Sequence, residues 1–272
     1  MRRLAALPLF CSLLLVGCNQ NTSLTNLGFT GYALDSAGTS LVKLNLVNGA
    51  PIGTPATISG LVSGDSVVAI DFDPSSGLLY GLSNNRRLYT FNVATGVATQ
   101  VGSAQLPALT GNISGMDFIP SNGQLRVVTD GGSNIRVNAA TNTVIATDTS
   151  LTRAAGDPNG AAPIITDIAY DNNFNGTGTT TCYALDNAGP SLARIGAAGG
   201  SPSAAIAGTV ATLFSAPGAV ASPSGLDVSS QTNTIYMVIS GGTAQGLYSW
   251  NASTGSTTLL SSVSYRDIAV QP

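Results

Sequence analysis

Three aspartates recur at the same point of a repeated sequence pattern, and carboxylates placed in this way could form a binding site. Asp71, Asp117 and Asp227 occupy equivalent positions, and the two remaining equivalents are Ala169 and Ala269. If the repeats surround one axis, the three carboxylates converge, and a cluster of hard oxygens suits calcium, magnesium or another polar ligand. A recurring aspartate beside a turn also commonly accepts backbone N–H hydrogen bonds. The sequence favours this structural role and leaves the ligand role open.

A second group of oxygen ligands lies in one short segment. Asp171, Asn173, Asn175 and Gly176 follow the D-x-[DN]-x-[DN]-G pattern that opens a calcium loop, in which alternate side chains point at one ion. The twelfth position of this loop is Cys182 instead of a bidentate glutamate, so a single carboxylate would face the ion. The segment therefore predicts weak calcium binding at most. An Asn-Gly turn in a long hairpin explains the same residues.

Three arginines stand alone among apolar residues, at Arg126, Arg136 and Arg153. A guanidinium on a strand needs a carboxylate partner, and we expect structural ion pairs here. The candidates nearby in the sequence are Asp117, Asp130 and Asp157. Recognition of an anionic ligand is the alternative, because a guanidinium matches carboxylate and phosphate geometry.

The composition lacks most of the side chains that enzymes use for catalysis. All 13 acidic residues are aspartate, histidine is absent, and Lys43 is the only lysine. There is consequently no imidazole base and no Ser-His or Cys-His pair, and acid-base chemistry would depend on aspartate alone. We favour a protein without enzymatic activity and without a cofactor. An aspartate-dependent or metal-dependent hydrolase or lactonase, with its site in a central funnel, is the alternative.

Charge is sparse, at 8% of residues, with a formal net charge of -3. A surface that binds nucleic acid needs clustered lysine and arginine, and the only adjacent basic pair beyond the N-terminus is Arg86-Arg87. We therefore expect no nucleic-acid partner.

The N-terminus resembles the signal peptide of a bacterial lipoprotein. Arg2 and Arg3 precede an apolar run over residues 4–16, which is too short to span a bilayer, and Gly17-Cys18 follows. Residues 1–17 are thus predicted to be removed, with Cys18 lipidated as the first mature residue. Acyl chains hold a protein at a membrane. Because Asn19 and not aspartate follows the cysteine, we expect the outer membrane or the cell surface.

Residues 18–27 form a short polar tether in this interpretation, and residues 28–272 form a single domain. Once the signal peptide and its Cys11 are removed and Cys18 is lipidated, Cys182 is the only free thiol, which excludes an intrachain disulfide. Its neighbours place it at a buried strand position, and no histidine is present to activate it. We expect a monomer.

The domain repeats one small unit. The segment Tyr32–Leu44 returns 151 residues later as Tyr183–Ile195, with eight of thirteen residues identical. Each full unit contains about four short strands separated by turn residues, which is typical of a β-propeller blade. Units align at Ile70, Met116, Ile168, Leu226 and Ile268. An acidic residue also appears one position before two of these, at Asp167 and Asp267. The sequence predicts an all-β protein, a propeller of five four-stranded blades.

The end of the chain indicates how the ring closes. Residues 266–272 match the start of a unit whose continuation is missing, while residues 32–44 match the second and third strands of a unit. The C-terminal strand should therefore complete the N-terminal blade, with residues 263–270 beside residues 31–35. Two alternatives are a right-handed β-helix and a sixth, degenerate blade within residues 196–220.

Several segments resemble a bacterial family known as domain of unknown function 4394. The segments are residues 116–120, 125–131, 134–138 and 154–159, including the paired arginine strands. The resemblance implies an exported, propeller-like protein and carries no catalytic residue with it. The predicted function is that of a lipid-anchored binding or scaffold module on the cell envelope, attached to the membrane by its lipid and recognising an envelope protein or a polysaccharide.

Overall fold

The computed structural model describes residues 29–200 and 204–272, and it contains five small antiparallel sheets arranged in a ring. Blade I joins the two ends of the domain and consists of β1 (Thr30–Asp35), β2 (Ser40–Asn45), β3 (Ala50–Pro51), β4 (Ala56–Thr57) and β22 (Tyr265–Val270). Blade II consists of β5 (Val67–Phe72), β6 (Leu79–Ser83), β7 (Leu88–Phe91) and β8 (Ala98–Gln100). Blade III consists of β9 (Ile113–Phe118), β10 (Leu125–Thr129), β11 (Asn134–Asn138) and β12 (Thr143–Thr147).

Blade IV consists of β13 (Thr152–Arg153), β14 (Ile165–Tyr170), β15 (Cys182–Asp186), β16 (Ser191–Ile195) and β17 (Thr209–Ser215). Blade V consists of β18 (Ala221–Val228), β19 (Ile235–Ser240), β20 (Gly246–Trp250) and β21 (Thr257–Ser261). Two short 3-10 turns, Ala204–Ala207 and Gly242–Ala244, complete the described structure. The predicted five-bladed propeller is confirmed, although β13 and the divided outer edge of blade I add a fifth strand to two blades.

The innermost strands are β22, β5, β9, β14 and β18, and each contacts the next around the ring. All six residues of β14 are buried, whereas the outer strand β12 alternates between exposed and half-buried residues. A strand with neighbours on both faces needs apolar or small residues throughout, while an outer strand faces solvent on one side. The inner strands therefore define a narrow channel at the axis.

The core consists of five apolar clusters, each formed by two adjacent blades. Leu34 of blade I packs with Phe72 of blade II, for example, and Trp250 of blade V packs with Leu185 of blade IV. A single blade is too thin to bury both of its own faces, so each blade depends on its neighbours for stability.

The closure is as the sequence predicted. Strand β22 pairs antiparallel with β1, with Gly31 opposite Val270 and Ala33 opposite Ile268. Both alternatives are wrong: the sheets are antiparallel meanders instead of helical coils, and β17 pairs with β16 as an outer strand of blade IV instead of starting a sixth blade. The Ala- and Gly-rich composition around β17 hid its place in that sheet.

Within residues 29–200 and 204–272, no helix is long and apolar enough to cross a membrane. The predicted signal peptide, the predicted lipidation site Cys18 and the whole of the predicted tether lie outside the described residues.

Candidate functional site at the propeller axis

Each inner strand carries one buried aspartate, so five carboxylates surround the axis. Their exposed fractions are only 1–3%. Three of them share one level of the channel, Asp71, Asp117 and Asp227, which we call the channel triad. The other two, Asp167 and Asp267, come two residues earlier in the repeat and are here called the upper pair. At the triad position, blades IV and I carry Ala169 and Ala269 instead of aspartate. Each of the five inner strands therefore has a single aspartate.

Most of these carboxylates link one blade to the next. Asp71 accepts hydrogen bonds from its own neighbour Phe72 N at 2.7 Å and from Phe118 N of blade III at 2.8 Å. Asp227 accepts them from Val228 N and from Val270 N of blade I. The backbone N–H role expected from the sequence is therefore present, but the donors lie on the same strand and on the next inner strand instead of in a local turn.

The upper pair also accepts backbone hydrogen bonds from the next inner strand. Asp167 accepts a hydrogen bond from Leu226 N at 2.6 Å, and Asp267 accepts one from Ile70 N at 2.6 Å. On its other side, each of these aspartates lies against a glycine. A Cβ on Gly115 would lie 2.4 Å from Asp167 Oδ1, and a Cβ on Gly225 would lie 2.5 Å from Asp267 Oδ1. Gly115 of blade III thus leaves room for Asp167 of blade IV, and Gly225 of blade V leaves room for Asp267 of blade I.

Burial disfavours ionisation of all five carboxyls, and the charge of a neighbouring aspartate adds to this effect for each of them except Asp267. Desolvation raises the pKa of Asp71 and Asp117 well above the usual range, and the charges of the neighbouring aspartates add to this. Desolvation raises the pKa of Asp227 and of Asp267 to about 7. The pKa of Asp167 is also raised by burial and then by Asp267. Arg266, beside Asp267, is the one basic group that appreciably opposes these shifts.

The triad brings three oxygens together. One carboxylate oxygen each of Asp71, Asp117 and Asp227 lie within 4.8 Å of one another. Asp117 Oδ1 has no hydrogen-bond partner although it is buried, and the same holds for Asp167 Oδ1. The chemistry that this arrangement supports is coordination of a hard cation or storage of protons, because both relieve buried negative charge.

A cavity of about 290 Å³ lies at the end of the axis where the inner strands begin. Val68, Ile113, Ser222 and Arg266 contribute from four different inner strands, and Arg86 reaches in from the β6–β7 turn. We call this cavity the channel mouth. None of the five buried aspartates lines it.

Two of the arginines at the channel mouth lack an acidic partner. Among the seven arginines that the structure describes, Arg87, Arg126, Arg136 and Arg153 form ion pairs with aspartate. No such pair involves Arg86, Arg194 or Arg266 within the described residues, and two of these three line the mouth. Arg86 Nε donates to Leu106 O at 2.9 Å, and Arg266 Nε is buried without a partner. Sequence reasoning missed this site. The signal available was Arg266 next to the repeated Asp267.

The three arginines selected from the sequence lie in structural ion pairs. Arg126 is fully buried and donates to Tyr170 Oη at 2.6 Å and to Asp148 Oδ2 at 3.0 Å. Arg136 binds both oxygens of the same Asp148, at 2.9 Å each. The expectation of ion pairing is correct, but Asp117 and Asp130 are not the partners of these two arginines. Both arginines pair with Asp148, which follows the outer strand β12 of blade III.

Arg153 is the exception, because its expected neighbour Asp157 does lie within 3.9 Å. A second carboxylate, Asp186 of β15, is closer to the guanidinium. Arg153 also donates through Nε to Ala161 O at 2.9 Å. Its place is therefore in the packing of blade IV, away from the axis.

The segment proposed as a calcium loop connects β14 to β15. Asp171 Oδ1 accepts a hydrogen bond from Thr181 N, Asn173 is buried with Oδ1 unpartnered, and Asn175 is exposed. Calcium binding by this loop stays a prediction. Cys182 is buried at the start of β15, as expected, and burial raises the pKa of its thiol to about 11.

A separate cleft of about 650 Å³ lies between blades IV and V. Its walls include Asp171, Tyr183, Asn233 and Asn251, so it is polar and contains one half-buried aromatic ring. Neither the triad nor the unpaired arginines contribute to it.

These features define the molecule as a five-bladed β-propeller with buried carboxylates around its axis and arginines at one mouth of the channel. The family model described as "Domain of unknown function (DUF4394)" matches residues 40–270, and the chain belongs to that family. No curated protein matches the sequence.

Three solved structures resemble this chain at low sequence identity, and one of them has a TM-score above 0.5. A Bacteroides thetaiotaomicron protein of unknown function superposes with a TM-score of 0.57 at 15% identity, over 89% of this chain and 62% of that one. A Bacteroides caccae protein of unknown function has a TM-score of 0.45 at 11% identity, over 85% of this chain and 72% of that one. The dihydro-heme d1 dehydrogenase NirN, in complex with DHE, has a TM-score of 0.39 at 12% identity, over 85% of this chain and 43% of that one.

Proposed function

We propose that this protein is a non-catalytic binding module of the bacterial cell envelope and that it holds an acidic group of an envelope polysaccharide at the channel mouth. One observation carries the proposal: Arg86 and Arg266 line the same cavity, and neither forms an ion pair with aspartate in the described part of the chain. A guanidinium that lacks a protein carboxylate is available to an anionic ligand.

The remaining walls of the mouth suit an oxygen-rich ligand. Asn84, Asn112 and Ser222 offer amide and hydroxyl groups beside the two arginines. The one carboxylate in the wall, Asp130, already accepts hydrogen bonds from Asn112 N at 2.8 Å and Asn112 Nδ2 at 3.2 Å. The mouth thus combines two cationic groups, neutral polar groups and one carboxylate that is already hydrogen-bonded. Its volume of about 290 Å³ accommodates a single acidic sugar or a phosphate-bearing unit.

The location belongs to the same proposal. The N-terminal signal and Cys18 would anchor the propeller by lipid at the outer membrane or cell surface, where polysaccharides with carboxylate and phosphate groups are within reach of the tethered domain. Metabolic labelling with a palmitate analogue tests the anchor. Label should appear in the natural protein and disappear in the Cys18→Ala variant.

A hydrolase or lactonase in the central funnel has less support. Its best acids, Asp71, Asp117 and Asp227, are nearly inaccessible and line none of the cavities described above. Each oxygen of Asp71 and Asp227 also accepts a backbone N–H, which favours the ionised carboxylate and so weakens it as a proton acceptor for general-base catalysis.

Binding to immobilised acidic and neutral polysaccharides tests the function. The purified protein should be retained by polygalacturonate and not by dextran at low salt. Replacing one guanidinium removes a charge-assisted hydrogen bond of about 1.5–3 kcal/mol, so Arg266→Gln should weaken retention by about 10-fold or more. Arg86 has φ +64°, so the matching variant is Arg86→Asn, because asparagine tolerates this conformation.

Arg194→Gln is the matched control, since Arg194 is a described arginine without an aspartate partner that does not line the mouth. It should bind like the natural protein. Equal retention of the Arg266→Gln and natural proteins would contradict the proposed site, and retention by neither polysaccharide would contradict the ligand class. Binding to an envelope protein instead would replace the polysaccharide as partner.

A further inference from the structure

We propose that the channel triad, Asp71, Asp117 and Asp227, holds one buried divalent cation, with calcium preferred, and that this ion joins blades II, III and V at the axis. The proposal is independent of the ligand at the channel mouth. It starts from charge. Three carboxylates share one small volume, and within residues 29–200 and 204–272 none of them forms an ion pair with an arginine or lysine. Buried charge without a partner is strongly unfavourable.

The hydrogen bonds around the triad favour ionised carboxylates. Asp71 and Asp227 each accept two backbone N–H groups, which stabilise a negative oxygen. Each oxygen keeps a second lone pair that can bind a metal. The backbone therefore prepares two carboxylates as anions, while burial opposes their charge. A cation at the axis resolves this conflict because it supplies positive charge where the surrounding side chains supply none.

Asp117 provides a second observation that points to a missing ligand. Its Oδ1 has no hydrogen-bond partner, and the residue is only 1% exposed. The aligned residues Asp71 and Asp227 each accept a hydrogen bond from the next inner strand, from Phe118 N and from Val270 N. The corresponding backbone donor is what Asp117 lacks. An unpaired buried carboxylate oxygen is costly, and the carboxylate of Asp117 brings one of its oxygens within 4.8 Å of an oxygen of each other member of the triad. A metal ion is the partner that all three oxygens can share.

The donor type and the buried setting identify the class of ion. The three ligand atoms lie within 4.8 Å of one another. Both Ca²⁺ and Mg²⁺ can hold oxygens at such separations, but Mg²⁺ demands near-ideal octahedral geometry and usually keeps several waters, whereas Ca²⁺ accepts irregular sets of protein oxygens, so a buried carboxylate triad favours Ca²⁺. An all-oxygen set also excludes a preference for soft metals. Three carboxylates and one Ca²⁺ leave a single negative charge.

The ion would be structural instead of catalytic. The triad lines none of the cavities described above, so the ion would enter while the ring closes and remain trapped afterwards. Metal bound only by the folded chain stabilises that chain. The test must therefore load the ion during refolding, since simple addition to the folded protein would reach the site slowly.

The experiment uses purified protein that is unfolded in guanidinium with EDTA, refolded in calcium-free buffer or with 1 mM CaCl₂, and desalted. Native mass spectrometry then counts bound calcium, and thermal unfolding measures stability. We expect one retained Ca²⁺ per chain and a higher melting temperature. Parallel samples with MgCl₂ should retain less ion. Refolded natural protein that retains no calcium would overturn the proposal.

Two variants assign the ion to its site. Asp117→Asn keeps the shape but removes one anionic ligand, and it should lose the retained calcium and the calcium-dependent rise in melting temperature. Asp171→Asn is the matched control for the β14–β15 loop and should retain one ion. The opposite pattern, with calcium kept by Asp117→Asn and lost by Asp171→Asn, would move the site to the loop. Circular dichroism checks folding, and Asp227→Asn replaces Asp117→Asn if the latter does not fold.

Discussion

Asp267 Oδ2 accepts a hydrogen bond of 2.6 Å from the backbone N–H of Ile70, which lies 197 residues earlier in the chain. The same carboxylate binds Ile268 N through Oδ1, at 2.7 Å. Asp267 lies on β22, the last strand, and Ile70 lies on β5 of blade II. One side chain therefore connects the strand that completes blade I to the next blade, and it supports the ring at its point of closure.

Asp267→Ala should destabilise the protein, because two buried N–H groups lose their acceptor. Each unsatisfied buried group costs about 1–3 kcal/mol, and loss of the buried carboxyl offsets part of this, so we expect about 2 kcal/mol. Urea unfolding at pH 5 measures the difference. Asp267→Asn retains an acceptor oxygen and should lose less. An alanine variant as stable as the natural protein would show that the carboxylate does not support closure.

Gly115→Ala should also lower stability. The added Cβ would meet Asp167 Oδ1 at 2.4 Å and Asp167 Cα at 2.7 Å, so the inner strands of blades III and IV must separate. Such overpacking costs about 1–3 kcal/mol. Gly178→Ala is the control, because a Cβ there meets nothing within 4 Å and the residue does not have a positive φ. Thermal unfolding should place the control within about 0.5 kcal/mol of the natural protein.

In EDTA, stability should decrease as pH rises from 5 to 8. Burial raises the pKa of Asp227 and Asp267 to about 7 in the folded chain, against 3.8 as the ordinary value. The folded state therefore holds protons that the unfolded state has released, and this stabilisation, complete below about pH 4, is lost through pH 7. The groups facing these two carboxyls are Asp71, Asp117, Asp167 and Arg266.

The slope of this loss is at most about 1.4 kcal/mol per pH unit for each group. Urea unfolding at a series of pH values measures it. Asp267→Asn should flatten the profile, because asparagine does not titrate. A profile that rises with pH in the natural protein would contradict the assignment of raised pKa values to the channel.

Asp148→Asn should be more damaging than a typical surface substitution. Asp148 binds both Arg126, whose side chain is fully buried, and Arg136. Removing the carboxylate leaves the Arg126 charge without an acidic partner, which costs about 3–5 kcal/mol for a buried pair. Chemical unfolding measures the loss. Arg126 also donates to Tyr170 Oη and to Asn134 Oδ1, and a cost below about 1 kcal/mol would mean that these two acceptors suffice to hold it.

The sequence alone determined the class of fold and the way the ring closes. Strand length, alternation and turn residues are local properties, and they repeat in every unit. Aligning Ile268 with Ile70, and Tyr32 with Tyr183, was therefore enough to predict that β22 pairs with β1. The buried position of Cys182 followed from the same pattern. Local periodicity carries this information because blades II to V are each built from contiguous chain, and blade I is divided only between the two ends of the domain.

Only the tertiary structure decided which side chains meet across blades. Arg126 pairs with Asp148 and not with its nearer neighbours, and Asp267 reaches Ile70 from the far end of the chain. Arg86 and Arg266 share a cavity although 180 positions separate them in the sequence. Such contacts depend on how neighbouring blades are rotated about the axis, and no local sequence pattern contains that rotation. This is the physical reason that the fold was predictable from the sequence while the contacts in the channel and at its mouth were not.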